Sequence, residues 1–72
     1  MRDYREAPPD IQKAFDKQDR LLSENIQHPS LHAKKFHEAI GLWQGRVNRN
    51  WRFYFLIQSD TYTIVTIVPH PK

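Results

Sequence analysis

The chain has 72 residues, with two Trp, four Phe, three Tyr, no cysteine and a net charge of +3. This length supports a single domain that buries only about 60% of its unfolded surface, so its core must come from a few large side chains. The lack of cysteine excludes a disulfide framework and a thiolate metal site, and no apolar run approaches the roughly 20 residues of a membrane span.

The N-terminal sequence MRDYREAPPD has no apolar segment of the kind that a signal peptide needs. Together with the absence of cysteine, this favours a cytoplasmic protein with no membrane partner.

One amphipathic helix is predicted at about residues 10–25. Its core-facing positions recur at helical spacing: Ile11, Ala14, Phe15, Gln18, Leu21, Leu22 and Ile26. Pro9 suits the first helical position, and Pro29 prevents the helix from continuing, because the residue before a proline avoids helical dihedrals.

The next stretch, HPSLHAKKFHEAIG, has no clear period. Leu31, Phe36 and Ile40 are spaced loosely like a helix, and Gly41 closes the segment. We predict an irregular connection or a single helical turn.

After Gly41 the apolar period changes to two, which predicts strands at about 42–48, 51–58 and 61–68 with a turn at Ser59-Asp60. Such short links favour antiparallel neighbours. The predicted class is therefore α+β, with an N-terminal helix, or a helical hairpin, packed on an antiparallel meander of about three strands.

The strand register follows from the requirement that opposed residues share a face. A three-residue loop at residues 48–50 keeps both faces consistent in the first hairpin, and a two-residue turn does so in the second. The expected pairs are Val47–Trp51, Arg46–Arg52, Trp43–Phe55, Phe55–Ile64, Phe53–Thr66 and Trp51–Val68.

This register divides the sheet into a core face and a second face. The core face would carry Trp43, Val47, Trp51, Phe53, Phe55, Ile57, Tyr62, Ile64 and Val68. The second face would carry Gln44, Arg46, Arg52, Tyr54, Leu56, Val65 and Ile67.

The basic residues concentrate in the strand-forming part of the chain. Residues 31–72 hold six Lys or Arg and two Asp or Glu, whereas residues 1–30 hold five and six. Arg46 and Arg52 would be directly opposed, an unfavourable pair of like charges that a bound anion would relieve. The register also brings His70 close to them. The alternative is a solubilising surface with both arginines in water and His70 as an ordinary tail residue.

From about Ala7 onward the chain resembles the RelE/ParE superfamily of toxins from type II toxin–antitoxin systems. The resemblance rests on HPSLHAKKF, GLWQGRVNRNWRFYFLI and DTYTIVTIVPHPK, taken in this order. It implies a single RelE-like domain over residues 1–72, with helices on one side of an antiparallel sheet. Many members begin with a strand, for which MRDYRE leaves little room.

The resemblance also implies a function. Similar proteins are held inactive by a cognate antitoxin, and many cut mRNA in the ribosomal A site and so block translation, whereas others inhibit DNA gyrase. Arg52 matches the strand arginine that contacts the scissile phosphate, Arg46 matches a second basic strand position, and His70 matches the C-terminal acid. Lys34 and Lys35 match the basic connection.

Two positions depart from the family pattern. Ala33 stands where some members place a glutamate base, and His70-Pro71 stands where some end in His-Tyr. The remaining candidate bases are His32 and the lysines Lys34 and Lys35. The ordinary imidazole pKa of about 6.5 suits His70 as the acid, and acid–base catalysis contributes about 10²–10⁴ in rate. Tyr54 would stack an RNA base or contact a protein partner, and Arg49 would bind RNA at the rim of the arginine pair.

Other functions remain open at this point. The spacing of His28, His32, His37 and His70 matches no zinc motif, so we expect neither a metal nor a cofactor. A gyrase inhibitor, or an inactive module that binds an antitoxin on Leu56, Val65 and Ile67, would need no acid–base pair. An open sheet edge would also favour self-association or capture of an antitoxin strand.

Overall fold

Two helices precede a four-stranded sheet along the chain. The computed structural model describes residues 2–59 and 61–69. Its main elements are α1 (Arg2–Glu6), α2 (Pro9–Glu24), β1 (Lys34–His37), β2 (Leu42–Asn48), β3 (Trp51–Gln58) and β4 (Thr61–Pro69). The sheet order is β1-β2-β3-β4, and neighbouring strands are antiparallel. The predicted α+β class, a helix packed on an antiparallel sheet, is confirmed.

Helix α2 confirms the predicted amphipathic helix almost to the residue. Pro9 occupies its first turn, and the extended Asn25 ends it while donating its backbone N–H to the Leu21 carbonyl. Four of the seven positions that the periodicity selected are buried: Ile11, Phe15, Gln18 and Leu22. Within the described residues, neither helix has the length and apolar character needed to cross a membrane.

The first residues of the chain form helix α1, which packs on α2. The Tyr4 hydroxyl donates to both carboxylate oxygens of Asp16, at 2.9 and 3.0 Å. The Tyr4 ring meets Phe15 edge-on with centroids 5.7 Å apart. Gln12 in turn donates to the Tyr4 and Ala7 carbonyls. The helical hairpin is therefore the form of the prediction that the structure bears out, and residues 2–6 are not a strand.

The core lies between α2 and the sheet and is built around two phenylalanines of β3. Phe53 and Phe55 are both 0% exposed, and the Phe53 ring meets Phe15 of α2 edge-on at 5.4 Å. Gly45 lies opposite Phe53 on β2. A Cβ atom at Gly45 would collide with the Phe53 ring, so the missing side chain is what lets Phe53 cover this strand.

The connection between α2 and β2 contains a strand that the sequence did not predict. Pro29–Leu31 and Glu38–Ile40 are single 3₁₀ turns, but Lys34–His37 pairs with β2 as an edge strand. The prediction of about three strands is therefore wrong by one. All four β1 residues are exposed, so the strand is made by backbone pairing with β2 and leaves no alternation of apolar residues to detect.

The first long hairpin has the predicted Arg46–Arg52 and Trp43–Phe55 pairs but a different turn. Asn48, not Val47, pairs with Trp51, and the register shifts between Arg46 and Asn48. The predicted three-residue loop is therefore wrong. A bulge at Val47 followed by the two-residue turn at residues 49–50 keeps both faces consistent equally well, because a bulge also adds one residue to one strand.

The second hairpin has the predicted Phe55–Ile64 pair, but a bulge changes the register beyond it. Phe53 pairs with Ile67 and Trp51 with Pro69, not with Thr66 and Val68 as expected. The extra residue is Val65, which lies between the partners of Phe55 and Tyr54. Consequently Ile67 is buried in the core and not on the second face, which corrects its assignment to a partner-binding surface.

Candidate anion-binding site

A cleft of about 350 Å³ opens on the sheet face opposite α2. We call this side of the sheet the open face. It carries Gln44, Arg46, Arg52 and Tyr54. The residues that line the cleft are His32, Ala33, Lys34, Gln44, Arg46 and Arg52. Four of them were predicted as site residues from the sequence, and none of the six is acidic.

Strand pairing brings the cationic side chains together. Arg46 and Arg52 are directly opposed on β2 and β3, as predicted. In the next row Lys34 pairs with Gln44, which pairs with Tyr54. The edge strand β1 therefore supplies the third cation of the cleft, and the site depends on the strand that the sequence analysis missed.

The two arginines share one backbone acceptor. The Asn48 carbonyl accepts from Arg52 Nη1 at 2.8 Å and from Arg46 Nε at 3.4 Å. Arg52 Nη1 also donates to the Trp51 carbonyl at 3.0 Å. These bonds hold both guanidinium groups in place and offset part of the repulsion between them. The fold therefore keeps the two arginines side by side without a bound anion.

His32 borders the cleft from the connection before β1. Its backbone lies in the left-handed region with φ of 46°, and its Nε2 is 3.2 Å from Arg46 Nη1. Because a guanidinium group has donors only, Arg46 must donate and Nε2 must accept. The imidazole therefore directs a lone pair, and not a proton, toward Arg46. Of the candidate bases, His32 is the one that contacts a cleft arginine directly.

Gln18 of helix α2 links the turn before His32 to strand β2. Its side chain is 5% exposed, and its Nε2 donates to the Ser30 carbonyl at 2.9 Å and to the Arg46 carbonyl at 2.7 Å. The first bond fixes the turn that leads to His32, and the second fixes β2. The sequence signal was a polar residue on the apolar helix face, but its function as a positioning residue was missed.

Two of the predicted basic residues lie outside the cleft. Arg49 is exposed at the hairpin turn and borders a neighbouring cleft of about 370 Å³ together with His32 and Arg46. Its contact with RNA at the rim stays a prediction. Lys35 pairs with Trp43 on the other side of the sheet, with its Nζ 3.7 Å from Glu38 and 6.0 Å from the Trp43 ring. Lys35 therefore does not line the cleft, and its contact with RNA stays a prediction.

Two aromatic rings extend the cleft along the open face. The Tyr54 hydroxyl accepts from Gln44 Nε2 at 2.9 Å. The ring of Phe36 meets that of Tyr54 at a centroid distance of 5.0 Å, and Phe36 is 57% exposed. Sequence reasoning selected Tyr54 but treated Phe36 as part of a connection, since β1 was not predicted.

The predicted acid, His70, lies outside the described residues. Pro69, which pairs with Trp51 next to Arg52, is the last described position before it. Over residues 2–59 and 61–69, no three His, Cys, Asp or Glu side chains come together in a way that could hold a metal ion.

Comparisons with protein-family models, with curated proteins and with solved structures gave no match.

Proposed function

We propose that this protein is a RelE-like endoribonuclease that binds the phosphate backbone of mRNA in the cleft and cleaves it. One observation carries the proposal: Lys34, Arg46 and Arg52 converge on one cleft. At the border of this cleft His32 directs a lone pair at Arg46. A polyanion fits such a cleft, and a basic lone pair beside a bound phosphate is what attack by a 2′-hydroxyl requires.

The chemistry assigns a role to each side chain. His32 Nε2 takes the proton of the 2′-hydroxyl once a phosphate draws the Arg46 guanidinium away from it. The 2′-oxygen attacks phosphorus, the bond to the 5′-oxygen breaks, and the products are a 2′,3′-cyclic phosphate and a 5′-hydroxyl. Arg46, Arg52 and Lys34 stabilise the charge that develops on the phosphorane oxygens. His70 is the proposed donor of the proton that the leaving oxygen takes up.

The proposed cellular role follows from the resemblance to RelE-like toxins. The substrate would be mRNA engaged on the ribosome in the cytoplasm, and the chain would be the toxin of a type II system. Its cognate antitoxin would keep it inactive. Strand β4 favours this partnership, because the sequence TYTIVTIVP carries no charge and lies at an edge of the sheet.

The experiment compares three variants for growth arrest on induction and for cleavage of a ribosome-engaged message by primer extension. Arg52→Ala should reduce cleavage by about 10²–10³, the loss typical of one preorganised charge donor. His32→Ala should reduce it by about 10²–10⁴. Arg20→Ala removes the same charge at an exposed position of α2 that does not line the cleft and should keep the activity, so it is the matched control.

Thermal unfolding of each variant shows whether the fold survives. Folded Arg52→Ala protein that cuts RNA as fast as wild type would overturn the assignment of the reaction to this cleft. Wild-type protein that arrests growth without cutting RNA would overturn the nuclease proposal. That result would favour a gyrase inhibitor or a module that only binds a partner.

A further inference from the structure

We infer that Phe36 and Tyr54 form a platform on which an unpaired base of the bound RNA stacks. The inference deepens the proposed function, on which it rests, by specifying the substrate as single-stranded RNA with an accessible base beside the scissile phosphate. Neither ring is needed to explain the cationic cleft. The platform can therefore be disproved while the proposed phosphate contacts of Arg46 and Arg52 remain.

The geometry of the two rings suits this role. Their planes make an angle of 67°, with centroids 5.0 Å apart, so the two rings meet edge to face and do not stack on each other. Tyr54 is itself held by the Gln44 amide. A large aromatic ring that is 57% exposed on a four-residue edge strand contributes little to the core, so stability does not account for it.

The platform is continuous with the cleft. Gln44 lines the cleft and bonds to the Tyr54 hydroxyl, and Lys34 pairs with Gln44 in the same row. Tyr54 follows Arg52 by two positions on β3, a spacing of about 7 Å along one sheet face. A phosphate held between the arginines therefore places a neighbouring base over the rings.

The charge of the cleft decides which class of partner fits. Three cations and no carboxylate line it, so a polyanionic chain matches it along its whole length. A base stacks on an aromatic side chain only when its own faces are free, which selects single-stranded RNA over a duplex.

The test measures binding of a fluorescent RNA oligonucleotide by anisotropy, with 2′-O-methyl groups to prevent cleavage. A second oligonucleotide lacks one base and keeps every phosphate. Phe36→Ala should weaken binding of the intact oligonucleotide about 5-fold to 150-fold and leave binding of the abasic one unchanged. Phe36→Tyr should retain the affinity. Phe36→Leu keeps an apolar side chain without a ring and should lose it.

Ile40→Ala is the matched control, because Ile40 is 59% exposed on the turn after β1 and its truncation should change nothing. Wild-type affinity in Phe36→Leu, or an equal loss on both oligonucleotides in Phe36→Ala, would overturn the platform. Phe36→Ala that binds RNA normally while Arg52→Ala binds weakly would also overturn it, in favour of a protein contact, and leave the nuclease proposal intact. A base-dependent loss in Phe36→Ala, together with wild-type protein that binds RNA but cuts none, would keep the platform and refute the nuclease.

Discussion

Hydrogen bonds to backbone carbonyls hold the charged side chains of the candidate site. Asn48 offers one carbonyl to both arginines, and Gln18 bonds to the carbonyls of Ser30 and Arg46. A charge that is fixed before the substrate arrives stabilises a transition state without reorganisation at the moment of reaction. The residues that position the site are therefore as important to the proposed chemistry as those that contact the phosphate.

Replacing Gln18 with leucine should destabilise the protein and loosen the cleft. The two carbonyls would lose their donor in a buried position, which costs about 1–3 kcal/mol. Urea unfolding measures the loss, with Lys17→Leu on the exposed face of the same helix as the control. A Gln18→Leu protein as stable as wild type would mean that water reaches these carbonyls and that Gln18 does not position the site.

Strand register was sufficient to place Arg46 and Arg52 among the candidates, whereas His32 and Lys34 were selected through the resemblance to RelE-like toxins. Neither was sufficient for Gln18, whose partners are carbonyls of distant segments, or for Phe36, whose strand has no apolar alternation. Lys35 lies outside the cleft, and it belongs to the same unpredicted strand. Within a strand, neighbouring residues point to opposite faces, so Lys34 and Lys35 could not both line the cleft.

Among the elements, β3 makes the largest contribution to the core. Phe53 is 0% exposed and contacts both Phe15 and Phe55. Phe53→Ala should lower the free energy of unfolding by about 3–5 kcal/mol, the cost of a large cavity, which is a large share of the stability of so small a domain. Chemical denaturation tests this, with Val65→Ala, 47% exposed, as the control. A loss below about 1 kcal/mol would contradict the assignment of the core face.

Helix α1 docks on α2 through a contact that depends on pH. The hydrogen bond from Tyr4 to Asp16 raises the pKa of the Tyr4 hydroxyl above 10.0, with burial and the Asp16 charge adding to the shift. A raised pKa means that the neutral phenol stabilises the folded state. That stabilisation is complete below pH 10.0 and is lost as the pH rises through the raised value.

The stability difference between wild type and Tyr4→Phe should therefore be constant near neutral pH and shrink above pH 10.0. Denaturant midpoints measured across this range for both proteins provide the test, since every other titrating group is common to the two. A difference that stays constant into strong alkali would show that Tyr4 does not form the bond in solution.

The accuracy of the predicted elements followed the strength of their periodicity. The bounds of helix α2 and strands β2, β3 and β4 were predicted within a residue or two. In each of these elements the apolar residues of one face recur at regular spacing. The bulges at Val47 and Val65 were not predicted. Either a bulge or a longer loop satisfies the same alternation, and the choice between them is made by backbone geometry and packing that the sequence pattern does not report.

For the molecule as a whole, the two sheet edges differ in how they resist pairing with another chain. Strand β1 has four residues, two of them lysines, and a register shift between Lys35 and His37, all features that block edge-to-edge association. Strand β4 has nine residues and no charge, and within the described part of the chain no strand pairs with its outer side. The bulge at Val65 divides the strand, and residues 67–69 lie beside Glu6 and Ala7, so residues 61–64 are the stretch that we expect to pair.

We therefore expect the isolated protein to self-associate through β4 at high concentration. Val65→Lys should abolish this, because the side chain is 47% exposed at the centre of the strand and a lysine on an edge disfavours further pairing. Ile40→Lys introduces the same charge at a position 59% exposed but outside the sheet, and should leave association intact. Sedimentation over a range of concentrations distinguishes the variants. A wild-type protein that stays monomeric throughout, or an equal effect of both substitutions, would show that β4 does not recruit a second chain and would move the proposed antitoxin contact to another surface.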